Sequence, residues 1–560
     1  MKKNQVFVTC STDKILQNKP VAEGLKKKKI HIQAVKGGHE TGQIIITANK
    51  KVDFCQIELN ELVNEDGAVF PRADIDVFYQ KYLEVTRISD NETNGQLGWY
   101  PDMLLPYEKA KEYKENTIDK GNNQAVVLGF NIPFKQSQGV YKGTCNVDLD
   151  GERYVVEIEL VVHDIVLPQI PTADSMFCMT YEFVARAERD ESYEMRKNYV
   201  ETLLKHKQVP RELPVRQYNE AGLCEAVREY YHRVPGYSIP MDKCEYWGAP
   251  RYMDYRYLEE NLLAVAKIAL ADGVNYLDKV RNYFETVDEP DNPGYSTTYD
   301  AVSFTCKNFK ETLYRVAEKI EAFDIPDHKL ISKKLLAETV RNKIYGLVTT
   351  GYTEKIQGVD IWCSGFKEYV TEAARKTYKE LKKPYWAYSC NAQTYPFPNY
   401  HIDDMNSNVS SRAIGWIMRQ YGISGNLYYE TVFFENVSYK GGLHLEPTNP
   451  YENPMKYPGT NGDGYLFYPG IKYGIKGPII SNRLLFIRES IDDYELLKIL
   501  EELYRANNID PSVNLKSLYG ALHRNTEVRI DGQEFFKIRD KLLALIISAK
   551  SGDFTKVESK

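Results

Sequence analysis

The hydrophobic period of this chain changes once, near residue 170, and that change restricts the folds open to it. Before it, apolar residues alternate with a period of two. Lys29-Ile30-His31-Ile32-Gln33-Ala34-Val35 alternates, Gly37-Gly38 turns the chain, and Ile44-Ile45-Ile46-Thr47 follows. Over 140–149, Cys145, Val147 and Leu149 share one face, and Thr144, Asn146 and Asp148 the other. Asp150-Gly151 is a hairpin turn, and the return strand places Val156, Ile158, Leu160 and Val162 inward. This pattern predicts an N-terminal all-β sandwich over 1–168, ending in a linker with Pro168 and Pro171. From 174 onward short apolar runs alternate with helical stretches such as Leu258–Ala271 and Cys306–Ala322. Candidate strands are Met176–Glu182, Gln208–Val215, Gly236–Pro240, Tyr283–Asp288, Tyr345–Thr350, Val359–Trp362, Tyr385–Cys390 and Asn426–Glu430. Eight strands with intervening helices predict a (β/α)8 TIM-type barrel over 174–435. A Gly/Pro/Tyr-rich loop, 436–480, is expected to be ordered over the barrel mouth. A helical and irregular extension completes 436–560. In it Ile487, Ile491, Tyr494, Leu497 and Leu500 form one stripe, and Arg488 can pair with Asp492.

At 560 residues the chain is too long for one core. A net charge of −6 is small for this size and points to no nucleic-acid or membrane partner. No stretch has the length of a membrane span. The start, Met1-Lys2-Lys3-Asn4-Gln5-Val6, is basic without an apolar core, so a cytoplasmic location is expected unless a leader has been trimmed. Nine cysteines without a C-x-x-C pair predict free, mostly buried thiols. No His/Cys cluster has zinc-ligand spacing, so neither a metal nor a cofactor is expected. The 43 tyrosines accompany abundant Lys, Asn and Ile and are read as biased genome composition.

The chemistry is sought at strand ends. The run Tyr283-Phe284-Glu285-Thr286-Val287 ends in two adjacent acids, Asp288 and Glu289, and Pro290-Asp291-Asn292-Pro293-Gly294 stops it. Two acids at one spot can split their pKa values, which glycosidic cleavage requires. The plainer reading is a strand-end turn with two solvated acids. Trp362 ends another strand and is expected to form a sugar-stacking wall, against a core position as the alternative. Tyr388 and Asn391 stand near the end of a third strand, and Tyr428 and Glu430 near the end of the last. His401 and Asp403, within Asn399-Tyr400-His401-Ile402-Asp403-Asp404, form a polar loop cluster that is read as substrate-binding or as a helix cap.

Several of these segments carry a resemblance. The pieces are Gly98-Trp99-Tyr100-Pro101-Asp102 with Leu104-Leu105-Pro106, Gly139-Val140-Tyr141-Lys142-Gly143, Val287-Asp288-Glu289-Pro290 and Val359-Asp360-Ile361-Trp362-Cys363. They continue with Ser411-Arg412-Ala413-Ile414-Gly415-Trp416, Gly425-Asn426-Leu427-Tyr428-Tyr429, Gly462-Asp463-Gly464-Tyr465-Leu466-Phe467-Tyr468-Pro469-Gly470 and Arg488-Glu489-Ser490-Ile491-Asp492-Asp493-Tyr494-Glu495. In this the chain resembles bacterial proteins with a C-terminal domain of unknown function 4091, related to glycoside hydrolase family 123, which contains β-N-acetylgalactosaminidases. The resemblance implies an N-terminal sandwich, a catalytic barrel and substrate-assisted retaining cleavage, with Asp288-Glu289 matching the family's adjacent acids. Relatives often have Tyr-Trp at Tyr428-Tyr429 and lack the acid at Glu430, so the exact sugar stays open.

Adjacent strand residues point to opposite faces, so Asp288 and Glu289 are poorly placed as an acid and a nucleophile across one bond. If the pleat breaks, both can touch one substrate. Glu289 then protonates the leaving oxygen, and an ionised Asp288 holds the 2-acetamido group while its carbonyl attacks the anomeric carbon. A glycosidase with Glu289 as acid/base and Glu430 as nucleophile is the second reading; a non-catalytic carbohydrate-binding protein is the third. As a non-nucleophile, Glu430 is expected to accept sugar hydroxyls. In each reading the partner is a glycan or oligosaccharide.

Overall fold

The computed structural model describes residues 3–241, 255–292, 296–438 and 444–554. Pro293 and Gly294, read as part of the stop after the two acids, lie outside them.

The N-terminal part follows the alternation of its sequence. Its strands are β1 (Gln5–Thr9), β2 (Lys29–Lys36), β3 (His39–Thr47), β4 (Cys55–Leu59), β5 (Leu62–Val63), β6 (Val69–Phe70), β7 (Ile75–Val85), β8 (Gly98–Pro106), β9 (Asn123–Asn131), β10 (Gly139–Leu149) and β11 (Glu152–Val166). One sheet has the order β1-β3-β9-β7-β8; the other runs β2-β11-β10-β5-β6, with β4 also on β10. The hairpin between β10 and β11 turns on Asp150 (φ 54°) and Gly151 (φ 90°), as the Asp-Gly pair demands. Cys145, Val147, Leu149, Val156, Ile158, Leu160 and Val162 are all buried in a core shared by both sheets.

The second part departs from the closed barrel. Its strands are β12 (Asp174–Phe177), β13 (Arg281–Tyr283), β14 (Tyr345–Thr349), β15 (Ile361–Gly365), β16 (Tyr385–Tyr388) and β17 (Gly425–Tyr428). They pair in parallel in the order β12-β17-β16-β15-β14-β13. The result is a curled half-barrel, not the (β/α)8 barrel expected. The two strands expected at 208–215 and 236–240 are reduced to single bridges, Phe177 to Pro210 and Tyr237 to Val280. Prolines explain the loss. Pro210 and Pro214 interrupt the first segment and Pro235 and Pro240 flank the second, and a residue without N–H cannot continue a central ladder. Among the described residues nothing pairs these two segments with each other, so the sheet stays open there.

The faces of the half-barrel are distinct. Met176, Cys178, Tyr283, Leu347, Ile361, Cys363, Trp386 and Leu427 pack on its inner side. Phe177, Val348, Trp362, Tyr385 and Tyr428 join the large core, which also takes Val302, Phe309 and Leu313 of the helix Tyr299–Glu321.

The helix Asn482–Ala506 is buried on every side over most of its length, not along one stripe. It crosses the helix Ser407–Tyr421 at Gly415, where a methyl group would come within 1.9 Å of the Ser490 carbonyl oxygen. Buried charges sit at this crossing. Arg412 donates to Glu40 at 2.9 Å and to Glu489 at 2.5 Å; Arg539 donates to Asp493 at 2.7 Å and also pairs with Glu40. Arg488 does not make the expected pair. It donates to Asn131 at 3.0 Å, while Asp492 accepts from the His39 N–H at 2.9 Å and from Lys207.

Candidate active site

The strand that leads to the two acids ends earlier than its apolar run suggested. β13 stops at Tyr283, a 3-10 turn (Glu285–Val287) follows, and Glu289 takes a left-handed backbone with φ 38°. For a non-glycine residue that conformation costs about 1–3 kcal/mol and is most often kept at functional positions. Its effect is to break the pleat. Asp288 and Glu289 face one cavity, together with Tyr283, Asn292, Thr349, Tyr388, Cys390, Asn391, Leu427, Tyr429 and Tyr457.

The two acids have separate supports. Asp288 Oδ1 accepts from the Tyr283 hydroxyl at 2.6 Å and from the Thr349 hydroxyl. Glu289 Oε1 accepts from the Tyr388 hydroxyl at 2.8 Å and Oε2 from Asn292 Nδ2 at 2.9 Å. Burial, then the nearby charge of Glu289, pushes the Asp288 carboxyl up to about 7, against the hydrogen bonds from Thr349 and Tyr283. The ionised Asp288 expected from the sequence therefore has to be favoured by something that donates to it, such as a bound amide N–H.

Of the other residues singled out in the sequence, Tyr388 and Asn391 line this cavity. The rest do not. Trp362 is buried on the outer face of β15, 5.3 Å from Tyr352 in an edge-to-face contact, because its neighbours Ile361 and Cys363 take the inner side. Tyr428 also faces outward; its hydroxyl donates to Asp463 at 3.1 Å. Glu430 is buried and committed elsewhere. It accepts from Thr180 Oγ1 at 2.5 Å and from the N–H groups of Thr431 at 2.7 Å and Val432 at 2.9 Å. Burial pushes its carboxyl up to about 7. Asp403 ties two parts of the molecule together, accepting from the Ser89 N–H at 2.6 Å and from Asn461 Nδ2 at 2.8 Å. His401 is buried, which lowers the basicity of its ring. Its backbone carbonyl accepts from Lys14 Nζ at 3.0 Å.

The sequence reading missed Thr349, Asn292, Tyr429 and Tyr457 as parts of this wall. For Tyr429 the signal was available, since the same period of two that turns Tyr428 outward turns Leu427 and Tyr429 inward. Tyr429 is in turn held by Asp463, to which its hydroxyl donates at 2.8 Å. Tyr457 comes from the long loop and had no local signal. Among the described residues no group of three His, Cys, Asp or Glu side chains could hold a metal ion, and no helix is long and apolar enough to cross a membrane. The described cysteines form no disulfide, and all but the half-buried Cys390 are buried.

All eleven residues around the cavity fall within 272–500, the stretch that matches the pattern "Glycoside hydrolase 123, catalytic domain"; residues 10–149 match "Glycoside hydrolase 123 N-terminal domain". The chain carries the catalytic and N-terminal domains of glycoside hydrolase family 123. No curated protein sequence matches this family 123 chain. Among solved structures it is similar to a family 123 glycoside hydrolase from Clostridium perfringens, described for glycolipid glycan hydrolysis. That likeness has 15% identity, a TM-score of 0.60, and coverage of 98% of both chains, so the fold is shared over the whole length. A β-glucuronidase from Parabacteroides merdae aligns with 78% of this chain and 50% of its own at 10% identity, with a TM-score of only 0.23.

Proposed function

We propose that this family 123 glycosidase is an exo-acting, retaining β-N-acetylhexosaminidase that favours N-acetylgalactosamine and uses the substrate's own 2-acetamido group as nucleophile. The observation that carries this reading is the pair Asp288 and Glu289, set in one cavity by a broken strand end and supported by different partners. No other carboxylate lines that cavity, so its described wall offers no separate enzyme nucleophile.

In this mechanism the glycosidic C–O bond breaks as Glu289 gives its proton to the leaving oxygen. The acetamido carbonyl oxygen bonds to the anomeric carbon, forming an oxazoline-type ring. Asp288 accepts the acetamido N–H and stabilises the positive charge that develops there. Glu289, now ionised, takes a proton from water as the water opens the ring, which restores the original anomeric configuration. Tyr388 and Asn292 keep Glu289 pointed at the leaving oxygen, and Asn391 is placed to meet the sugar. The N-acetylgalactosamine preference rests on the resemblance of the motifs. The C. perfringens relative suggests a glycolipid glycan as the source of the sugar.

The test is a panel of chromogenic β-glycosides with and without a 2-acetamido group, together with a thiazoline mimic of the cyclised intermediate. Only acetamido sugars should turn over, and the mimic should inhibit the wild type tightly and Asp288→Asn weakly. Glu289→Gln should lose roughly 10²–10⁴-fold on natural glycosides and far less on nitrophenyl ones, whose leaving groups need no proton. Turnover indifferent to the acetamido group, with no inhibition by the mimic, would refute substrate assistance.

A further inference from the structure

The open side of the half-barrel holds a second cavity of about 280 Å³, between the segments that bridge to β12 and β13. Tyr283 belongs to its wall and to the wall of the Asp288/Glu289 cavity. Both cavities lie beyond the C-terminal ends of parallel strands, since Cys178–Thr180 follow β12 and Tyr283 ends β13. The buried Tyr283, whose hydroxyl donates to Asp288 at 2.6 Å, thus stands between the two cavities and makes them neighbours.

The floor of this second cavity is internally bonded. Ser238 Oγ donates to the Arg281 carbonyl at 2.8 Å, and Asn282 Nδ2 donates to the Ile239 carbonyl at 2.8 Å. The rim carries aromatic rings instead. Tyr181 is half-buried, with its hydroxyl donating to the Glu212 carbonyl at 3.1 Å. Tyr218 is 66% exposed, with the Arg196 guanidinium 5.3 Å from its ring. An exposed ring beside polar groups suits the apolar face and hydroxyls of a sugar. Among the described residues the charged lining is Glu182, Glu212 and Glu285 against Arg211, an acidic balance that disfavours a phosphate or an acidic sugar.

We infer that this cavity is a second carbohydrate subsite, which takes a neutral sugar joined to the residue cleaved at Asp288/Glu289. The inference rests on the glycosidase reading above and extends it: the substrate is an oligosaccharide that spans both cavities.

The experiment compares kcat/KM on an aryl β-N-acetylhexosaminide with kcat/KM on an oligosaccharide bearing two neutral sugars behind the same terminal residue. In Tyr218→Ala the oligosaccharide-to-aryl ratio should fall about tenfold, mainly through KM, the worth of one aromatic contact. Tyr218→Trp, which keeps a ring, should hold the ratio near the wild-type value. Tyr218 is exposed, so folding is expected to survive; matched circular dichroism and melting temperatures verify that. A ratio that Tyr218→Ala does not move overturns the subsite, and so does an equal loss on both substrates, which would assign the cavity to the cleaved sugar itself. A wild type that turns over neither compound removes the glycosidase reading and the subsite together, whereas an active wild type with an unmoved ratio removes the subsite alone.

Discussion

Thr349 and Tyr283 set the acidity of the residue on which the proposed chemistry turns. Both donate to Asp288 and so favour its ionised form, while burial and Glu289 favour the protonated one and prevail, placing the carboxyl at about 7. If ionised Asp288 is required, kcat/KM must fall as the pH drops through the apparent pKa of the coupled pair. A bound acetamido N–H donates more strongly to the ionised form, so the acid limb of kcat should lie below that of kcat/KM. Thr349→Val removes one donor to the carboxylate. It should move the acid limb of kcat/KM to higher pH by about one to two units, the worth of one hydrogen bond to a charged group. A limb that stays in place, or moves down, would assign the titration to another group.

At the scale of elements, the face a residue occupies matters more than its place near a strand end. Trp362 shows this. Its position at the mouth suggested a sugar platform, but β15 turns it toward the helices. Trp362→Ala should therefore cost about 3–5 kcal/mol of stability, read in a lowered denaturation midpoint, and leave kcat/KM of the folded fraction within about twofold. A specific catalytic loss at unchanged stability would return it to the site. Much was legible in the sequence where local chemistry decides the outcome. The Asp150-Gly151 hairpin, the inward faces of β10 and β11 and six of the eight parallel strands follow from alternation and turn residues. The adjacent acids were visible as well. Barrel closure was not legible from apolar runs alone, because Pro210, Pro214, Pro235 and Pro240 cancel the ladder without changing hydrophobicity. That Glu430 and Asp403 stand outside the Asp288/Glu289 cavity was not legible for a related reason. Their donors, Thr180 and Ser89, lie 250 and 314 residues away in the chain, and no local pattern announces such partners.

On the scale of the whole molecule, the N-terminal sheets are joined to the catalytic part by buried charge. Lys14 donates to the carbonyls of His401, Ile402 and Asp404 at 3.0, 2.8 and 2.7 Å. Asp102 receives both arms of Arg483 at 2.8 Å, and Glu40 meets Arg412 and Arg539. Breaking one such pair leaves an uncompensated buried charge and typically costs about 3–5 kcal/mol. Arg539→Met should thus lower the melting temperature of the entire chain in one calorimetric transition; two separated transitions would show that the parts are independent. The motifs at 98–102, 411–416 and 488–495 owe much of their residue choice to this joint, in which Trp416 Nε1 also donates to Asp493 at 3.1 Å. The joint sets an order of events during synthesis. The first sheets can close as soon as β11 has left the ribosome, yet Glu40 must then wait for Arg539, 499 residues further along the chain. Until Arg412 emerges, 372 residues after Glu40, the nascent protein holds an unpaired acid in a surface destined to be interior, and the second of its two partners comes only when translation is nearly over.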